Sequence, residues 1–212
     1  MDIVTAAVPP IFKNGFLVSC EETGEAVYID PGDEVDDLIA RARSATLKVT
    51  LILLTHAHFD HVSGVARAKA ACGAPVWLHR DDLPLYDHAV DQGRMFGVHV
   101  DRQPPVDHFY AADQRLIFGR YVVDVRHTPG HCPGGVCLAI GRADTATREL
   151  FVGDTLFAGS IGRTDLPGGN HEQLRRSIHE QLLVYPDETI VHPGHGPGTT
   201  VGGERASNPF LR

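Results

Sequence analysis

Residues 55–61 read THAHFDH and follow directly on the apolar run VTLILL at 49–54. His56, His58, Asp60 and His61 thus crowd metal-binding side chains into one short segment, at offsets that a plain polar loop has no reason to keep. A continuous apolar run is the pattern of a strand buried on both faces, so the cluster falls where a buried strand ends. Loops that leave rigid strands are where chemistry is usually presented.

Three more stretches share that placement: HTPGHCPGG (127–135), FVGDTLF (151–157) and HPGHGPG (192–198). Each follows an apolar strand pattern and sets a histidine or aspartate in or beside a glycine-containing turn. Glycine allows positive φ and close backbone approach, which a site converging from distant loops requires. The best donors are His56, His58, Asp60, His61, His131, Asp154 and His195, an all-nitrogen-and-oxygen set with no cysteine. That set is too large for one ion. Imidazole and carboxylate suit zinc, iron or manganese, and three or four ligands per ion leave a coordination position open for water. Two divalent ions sharing one bridging carboxylate account for the whole set.

The rest of the chain mixes strands and helices. EAVYIDPG (25–32) reads as a strand ending at Asp30, followed by a helix with Val35, Leu38, Ile39 and Ala42 on one face and Asp33 as its N-cap. The segment from Val62 to Ala71 reads as helical. PVWLH (75–79), QRLIFG (114–119), YVVDVRHT (121–128), GGVCLAIG (134–141) and RELFVGD (148–154) read as strands, with Gly73 and Gly119 in turns. NHEQLRRSIHEQLL (170–183) is an amphipathic helix burying Leu174, Ile178 and Leu182, opened by Asn170 and Gln173 as a capping box. TIVHPGHG (189–196) closes the series as a short strand and turn. Many strands lie too close in sequence for a crossover helix, so the expected class is α+β, with mainly antiparallel sheets flanked by helices in a single domain over 1–212.

Composition narrows the partners. With 42% hydrophobic and 22% charged residues the chain has an ordinary globular balance, and its net charge of −8 lacks the basic footprint of a nucleic-acid or anionic-membrane binder. Small molecules are the expected partners. Asp2 and the Pro9-Pro10 pair do not make a secretory signal, and no apolar stretch is long enough to span a bilayer. Cys20, Cys72, Cys132 and Cys137 form no CxxC pair, which fits free thiols and a cytoplasmic protein.

Taken together, THAHFDH, His131, Asp154, His195 and the earlier Asp30 resemble the motif series of the metallo-β-lactamase superfamily, in order and across most of the chain. The resemblance implies a four-layer αβ/βα sandwich with its metals at one edge between two sheets. It implies that His56, His58 and His131 hold one ion, that Asp60, His61 and His195 hold the other, and that Asp154 bridges them. Asp60 would also act catalytically by orienting the attacking water, and Asp30 would accept a hydrogen bond from a ligand histidine. Zinc is the first expectation for both ions, with iron or manganese compatible.

GDTLFAGSIGRTDLPGGN (153–170) and GHGPGTTVGGERASNPF (194–210) are most similar to the short glyoxalase II-like, or hydroxyacylglutathione hydrolase-like, branch. That branch implies hydrolysis of an acyl thioester, without the C-terminal helical domain that helps full-length members bind glutathione. Arg163 and Asp165 are then candidates to line the mouth of the site, either on the substrate or paired with each other. Secreted β-lactamases of the superfamily generally lack the bridging aspartate, which points away from antibiotic hydrolysis. The alternative is a persulfide dioxygenase with one iron on His56, His131 and Asp154; a lactonase or a non-catalytic metal-binding protein ranks below it. His127 and His192 read as loop residues or as outer neighbours of the ligands, the remaining histidines as ordinary surface or core, and Cys132 and Cys137 as small buried side chains.

Overall fold

The computed structural model describes residues 1–212. Alternation along its strands sorts side chains between two faces, because successive residues of a strand point to opposite sides of a sheet. In the first sheet, Phe16, Val18, Val27, Ile29 and Leu53 face one core, while Leu17, Ala26, Tyr28, Ile52 and Leu54 face another. In the second, Leu138, Ile140 and Phe151 face the core shared with the first sheet, and Cys137, Ala139, Leu150 and Val152 face away. Three stacked cores separate four layers, the αβ/βα sandwich implied above.

The first sheet runs in chain order through β1 (Asp2–Ala6), β2 (Gly15–Ser19), β3 (Glu25–Ile29), β4 (Lys48–Leu53), β5 (Val76–Leu78) and β6 (His108–Phe109). The second contains β7 (Arg115–Phe118), β8 (Tyr121–His127), β9 (Val136–Arg142), β10 (Glu149–Gly153), β13 (Ile190–Pro193) and β14 (Thr199–Thr200), in the order β14-β13-β10-β9-β8-β7. A small ribbon, β11 (Leu156–Phe157) with β12 (Ser160–Ile161), stands apart.

Helices α1 (Val35–Ser44), α2 (Phe59–Val62), α3 (Val65–Cys72), α4 (Leu83–Asp87) and α5 (Ala89–Met95) contribute buried side chains to the outer core of the first sheet. The outer face of the second is covered by α6 (His171–Ser177), which continues as a wider π turn through Ile178–Leu182, and by α7 (Val201–Ser207). None of these helices is long and apolar enough to cross a membrane.

The expectation of mainly antiparallel sheets needs correction for the first sheet. The second is antiparallel except for β10 with β13, but β3, β4, β5 and β6 all pair in parallel. The segments joining these four strands carry helices and are long enough to cross over the sheet, whereas β1, β2 and β3 are joined by shorter segments without helices. The parallel pairs matter for the site. They bring the C-terminal ends of β3 and β4, and those of β10 and β13, to one edge of the sandwich. Strand β8, antiparallel to β9, which is antiparallel to β10, ends at that same edge.

Asn170 caps α6 by accepting from the Gln173 N–H at 3.0 Å, and Leu174, Ile178 and Leu182 are all fully buried. Gly73 and Gly119 have positive φ. Asp33 does not cap α1. The helix starts after Glu34, and Asp33 instead accepts from the Ser63 hydroxyl at 2.8 Å, tying the start of α1 to the segment that carries Asp60 and His61.

Candidate metal centre

The strand ends converge on seven side chains. His56, His58, Asp60 and His61 follow β4, His131 follows β8, Asp154 follows β10 and His195 follows β13. His56, His58 and His131 form one group whose ligand atoms all lie within 4.8 Å of one another, and Asp60, His61 and His195 form a second. Between them sits Asp154: its Oδ2 is 3.7 Å from both His131 Nε2 and His195 Nε2, and its Oδ1 is 3.3 Å from His61 Nε2. The two predicted triads and the bridging position therefore assemble.

Three of the five rings, those of His56, His61 and His131, are turned by a contact on the far side, which fixes the nitrogen that faces inward. His61 Nδ1 donates to Asp30 Oδ2 at 2.9 Å, leaving Nε2 for the site. His131 Nδ1 donates to the Arg163 carbonyl at 2.8 Å, leaving Nε2 only 2.9 Å from His58 Nδ1. His56 Nδ1 sits 3.1 Å from the Thr55 hydroxyl. Asp30, the one outer partner foreseen, thus meets His61.

Glycine permits the closeness. A Cβ on Gly194 would lie 2.4 Å from Asp154 Oδ1 and 2.6 Å from His61 Cε1, so no other residue fits there. Gly153 has φ of +49°, and a Cβ on it would meet the Thr55 hydroxyl at 2.3 Å.

The donors fit divalent cations on their own chemistry. His56 Nε2, His61 Nε2 and Asp154 Oδ1 are buried with no hydrogen-bond partner in the protein, an arrangement that folded interiors rarely tolerate without a ligand. Cations held by the two triads, one by each, would satisfy all three atoms. Burial and the imidazoles around it hold His56 well below its ordinary pKa, and burial with the His131 ring pushes His58 down to about 4. Both rings are neutral at pH 7 and offer lone pairs. Burial also disfavours a charged His61, but the Asp154 and Asp60 carboxylates outweigh it and push this group up to about 10. The histidines in turn overcome the burial of Asp60 and Asp154 and keep both below the usual carboxylate range.

A sequence model of the metallo-β-lactamase superfamily matches residues 8–195, a span that contains every donor. The chain belongs to the metallo-β-lactamase superfamily. Among curated relatives it is 38% identical to the probable metallo-hydrolase YqgX of Bacillus subtilis, over 96% of this chain and 94% of that one. It is 36% identical to the hydroxyacylglutathione hydrolase GloC of Haemophilus influenzae, over 100% of this chain and 98% of that one. Among solved structures, TTHA1623 in a di-iron-bound form superposes with a TM-score of 0.86 at 44% identity, covering 98% of this chain and all of that one. The B3 metallo-β-lactamase BLEG-1 also superposes with a TM-score of 0.86, at 38% identity and 99% coverage of both chains. Likeness to this β-lactamase is therefore as close as likeness to the curated metallo-hydrolase.

Within this superfamily member, several side chains around the donors were not singled out from the sequence. Asp82, fully buried, accepts from the Ala57 N–H (3.1 Å), from the Gly134 N–H (2.6 Å) and from the Cys132 thiol (3.1 Å). It staples the His56–His58 loop to the loop bearing His131. Cys132 is thus a buried donor, its thiol pushed well up by burial and by Asp82, which agrees with its reading as a non-nucleophile. Lys13, buried, donates to the Asp30 carbonyl and to Glu34 Oε1, and so holds the backbone of Asp30 at φ +47°. The signal that could have found Asp82 is its place shortly after β5, in the same relation to a strand as the other site carboxylates.

Arg163 lines the cavity above the donors, but its guanidinium is held in two hydrogen bonds, 2.7 and 2.8 Å, by Asp165. Asp165 faces Arg163 and does not line the cavity, so the pairing of these two residues is what the structure shows of that expectation. His192 bonds Glu149 at 2.7 Å, and His127 stacks on His79, both outside the donor cluster.

Two outcomes follow from this geometry. In the metal-free protein His61 carries a proton at pH 7, because its pKa lies near 10, and it must lose that proton to present Nε2. Zinc titration calorimetry in buffers of different ionisation heat will show at least one proton released per chain, with affinity rising at least about tenfold per pH unit between pH 6 and 8; pH-independent binding without proton release contradicts this. Asp82→Ala leaves two buried N–H groups without partners and will lower the unfolding free energy by about 2–4 kcal/mol in denaturant titrations. A loss below about 0.5 kcal/mol would show that the staple is unimportant.

Proposed function

We propose that the chain is a metal-dependent hydrolase of acyl thioesters, working with two divalent ions, zinc foremost and iron or manganese as substitutes. The observation that carries this reading is the second triad. A mononuclear iron site would use only one histidine group with Asp154, yet Asp60, His61 and His195 are also gathered and oriented, with Asp154 set between the groups. The GloC relative acts on a thioester by its name, and the YqgX relative is described as a metallo-hydrolase.

Divalent ions bound at such donors lower the pKa of water into the neutral range and polarise a carbonyl. The chain's own groups do the rest. Without metal, Asp60 Oδ2 lies 3.1 Å from His195 Nε2, the pair that would face the second ion together, while Asp60 Oδ1 carries no protein hydrogen bond and would accept one from the attacking water, which orients the nucleophile. Asp30, Thr55 and the Arg163 carbonyl keep the His61, His56 and His131 imidazoles from rotating, which limits reorganisation during the reaction. The thiolate leaves through the cavity of about 440 Å³ that opens above the donors, within the size range of small-molecule sites.

A second reading, β-lactam hydrolysis, is favoured by the similarity to BLEG-1 and also requires water to attack a carbonyl. Thiol release from a panel of acyl thioesters, run beside a chromogenic cephalosporin, separates the two. The proposal expects kcat/KM for at least one thioester to exceed that for the β-lactam by on the order of 100-fold, and Asp154→Ala to lose a further 100-fold or more together with metal. Faster cephalosporin turnover, or undiminished thioester hydrolysis in Asp154→Ala, overturns it.

A further inference from the structure

The cavity above the donors is walled by Ile11 from the β1–β2 connection, Phe59, Phe96 and Val98 around α2 and α5, and Leu166 from the loop after β12. Phe59 belongs to the ligand segment itself, between His58 and Asp60. Phe96, just past the end of α5, stacks on it with ring centroids 5.2 Å apart and an interplanar angle of 20°, yet stays 57% exposed. Neighbouring Met95 is 84% exposed. An aromatic ring left largely in solvent on the wall of a cavity, with a second exposed apolar side chain next to it in the chain, marks a surface built to be covered.

Charge points the same way. Apart from the donors, Arg163 is the one charged residue lining the cavity, and Asp165 already occupies its guanidinium. No uncommitted cation on this wall receives a substrate carboxylate.

We infer that the Phe59–Phe96 wall is the acyl-specificity surface of this site, and that it takes an uncharged aliphatic or aromatic acyl group. The inference rests on the thioester reading above for the identity of the reaction, but the wall makes its own demand on any ligand. An acyl chain laid along Phe96 covers the exposed ring and loses its own contact with water, so each added methylene strengthens binding until the wall is spanned. An acyl group ending in a carboxylate would set that charge against apolar rings with no free partner, and binding would suffer.

The test uses the metal-loaded protein and its Phe96→Ser variant, with metal content and thermal unfolding checked to show that the variant is folded and loaded. Straight-chain carboxylates from acetate to octanoate, the acyl products, are titrated calorimetrically. In parallel, thioesters of the same acyl groups on one constant thiol are assayed for turnover. The expected result is a gain of about two- to fourfold in affinity and in kcat/KM per methylene over the first several carbons, collapsing toward a flat series in Phe96→Ser. Succinate and the succinyl thioester should bind and react at least tenfold more weakly than butanoate and the butanoyl thioester.

A flat chain-length series in the unmodified protein, an undiminished series in Phe96→Ser, or preference for the succinyl group overturns the inference while leaving thioester hydrolysis standing. A rising carboxylate series that Phe96→Ser abolishes, without any thioester turnover, upholds the acyl surface and removes the thioester reading instead.

Discussion

The buried carboxylate of Asp30 is the contact on which the site depends. It accepts from the Thr55 N–H at 2.7 Å, the Thr55 hydroxyl at 2.5 Å and His61 Nδ1 at 2.9 Å, so one side chain at the end of β3 fixes the exit of β4 and the tautomer of a ligand. A buried charge is stable only when donors surround it. Its backbone sits at φ +47°, a region that non-glycine residues seldom adopt, and the Lys13–Glu34 ion pair beneath holds it there. Parallel pairing of β3 with β4 makes this reach possible, because it sets both strand ends at the same edge.

From that anchor the remaining donors are placed by similar means. Asp82 ties the β4 loop to the His131 loop, the Arg163 carbonyl turns His131, and Gly194 lets the His195 turn press against Asp154 and His61. The result is a dense group of imidazoles and carboxylates whose inward atoms lack protein partners. Such a group is unfavourable as an empty interior and favourable around cations, which is the link between the fold and a metal-dependent reaction.

How much of this was legible in the sequence depended on how local the signal is. THAHFDH, His131, Asp154 and His195 could be read because metal ligation restricts residue type, and glycine-containing turns after apolar strands mark where such residues gather. The helix from Asn170 was readable from its cap and from the spacing of Leu174, Ile178 and Leu182. Parallel pairing in the first sheet was not, since strand direction is set by crossovers that short apolar runs do not encode. The Asp33 cap failed because tertiary contacts with Ser63 and with Lys13 claimed Asp33 and Glu34 for other partners. Asp82 and Phe96 each stand alone in the sequence, one carboxylate after a strand and one aromatic after a short glycine-containing helix, and only the fold shows what they touch.

The central claim is that this chain gathers two ion sites around Asp154. Elemental analysis of protein purified without chelators, from cells supplied with zinc, iron and manganese, measures it directly. The account predicts two divalent ions per chain, falling together when Asp154 is replaced. A single ion per chain that survives replacement of Asp60 or His195 would contradict it.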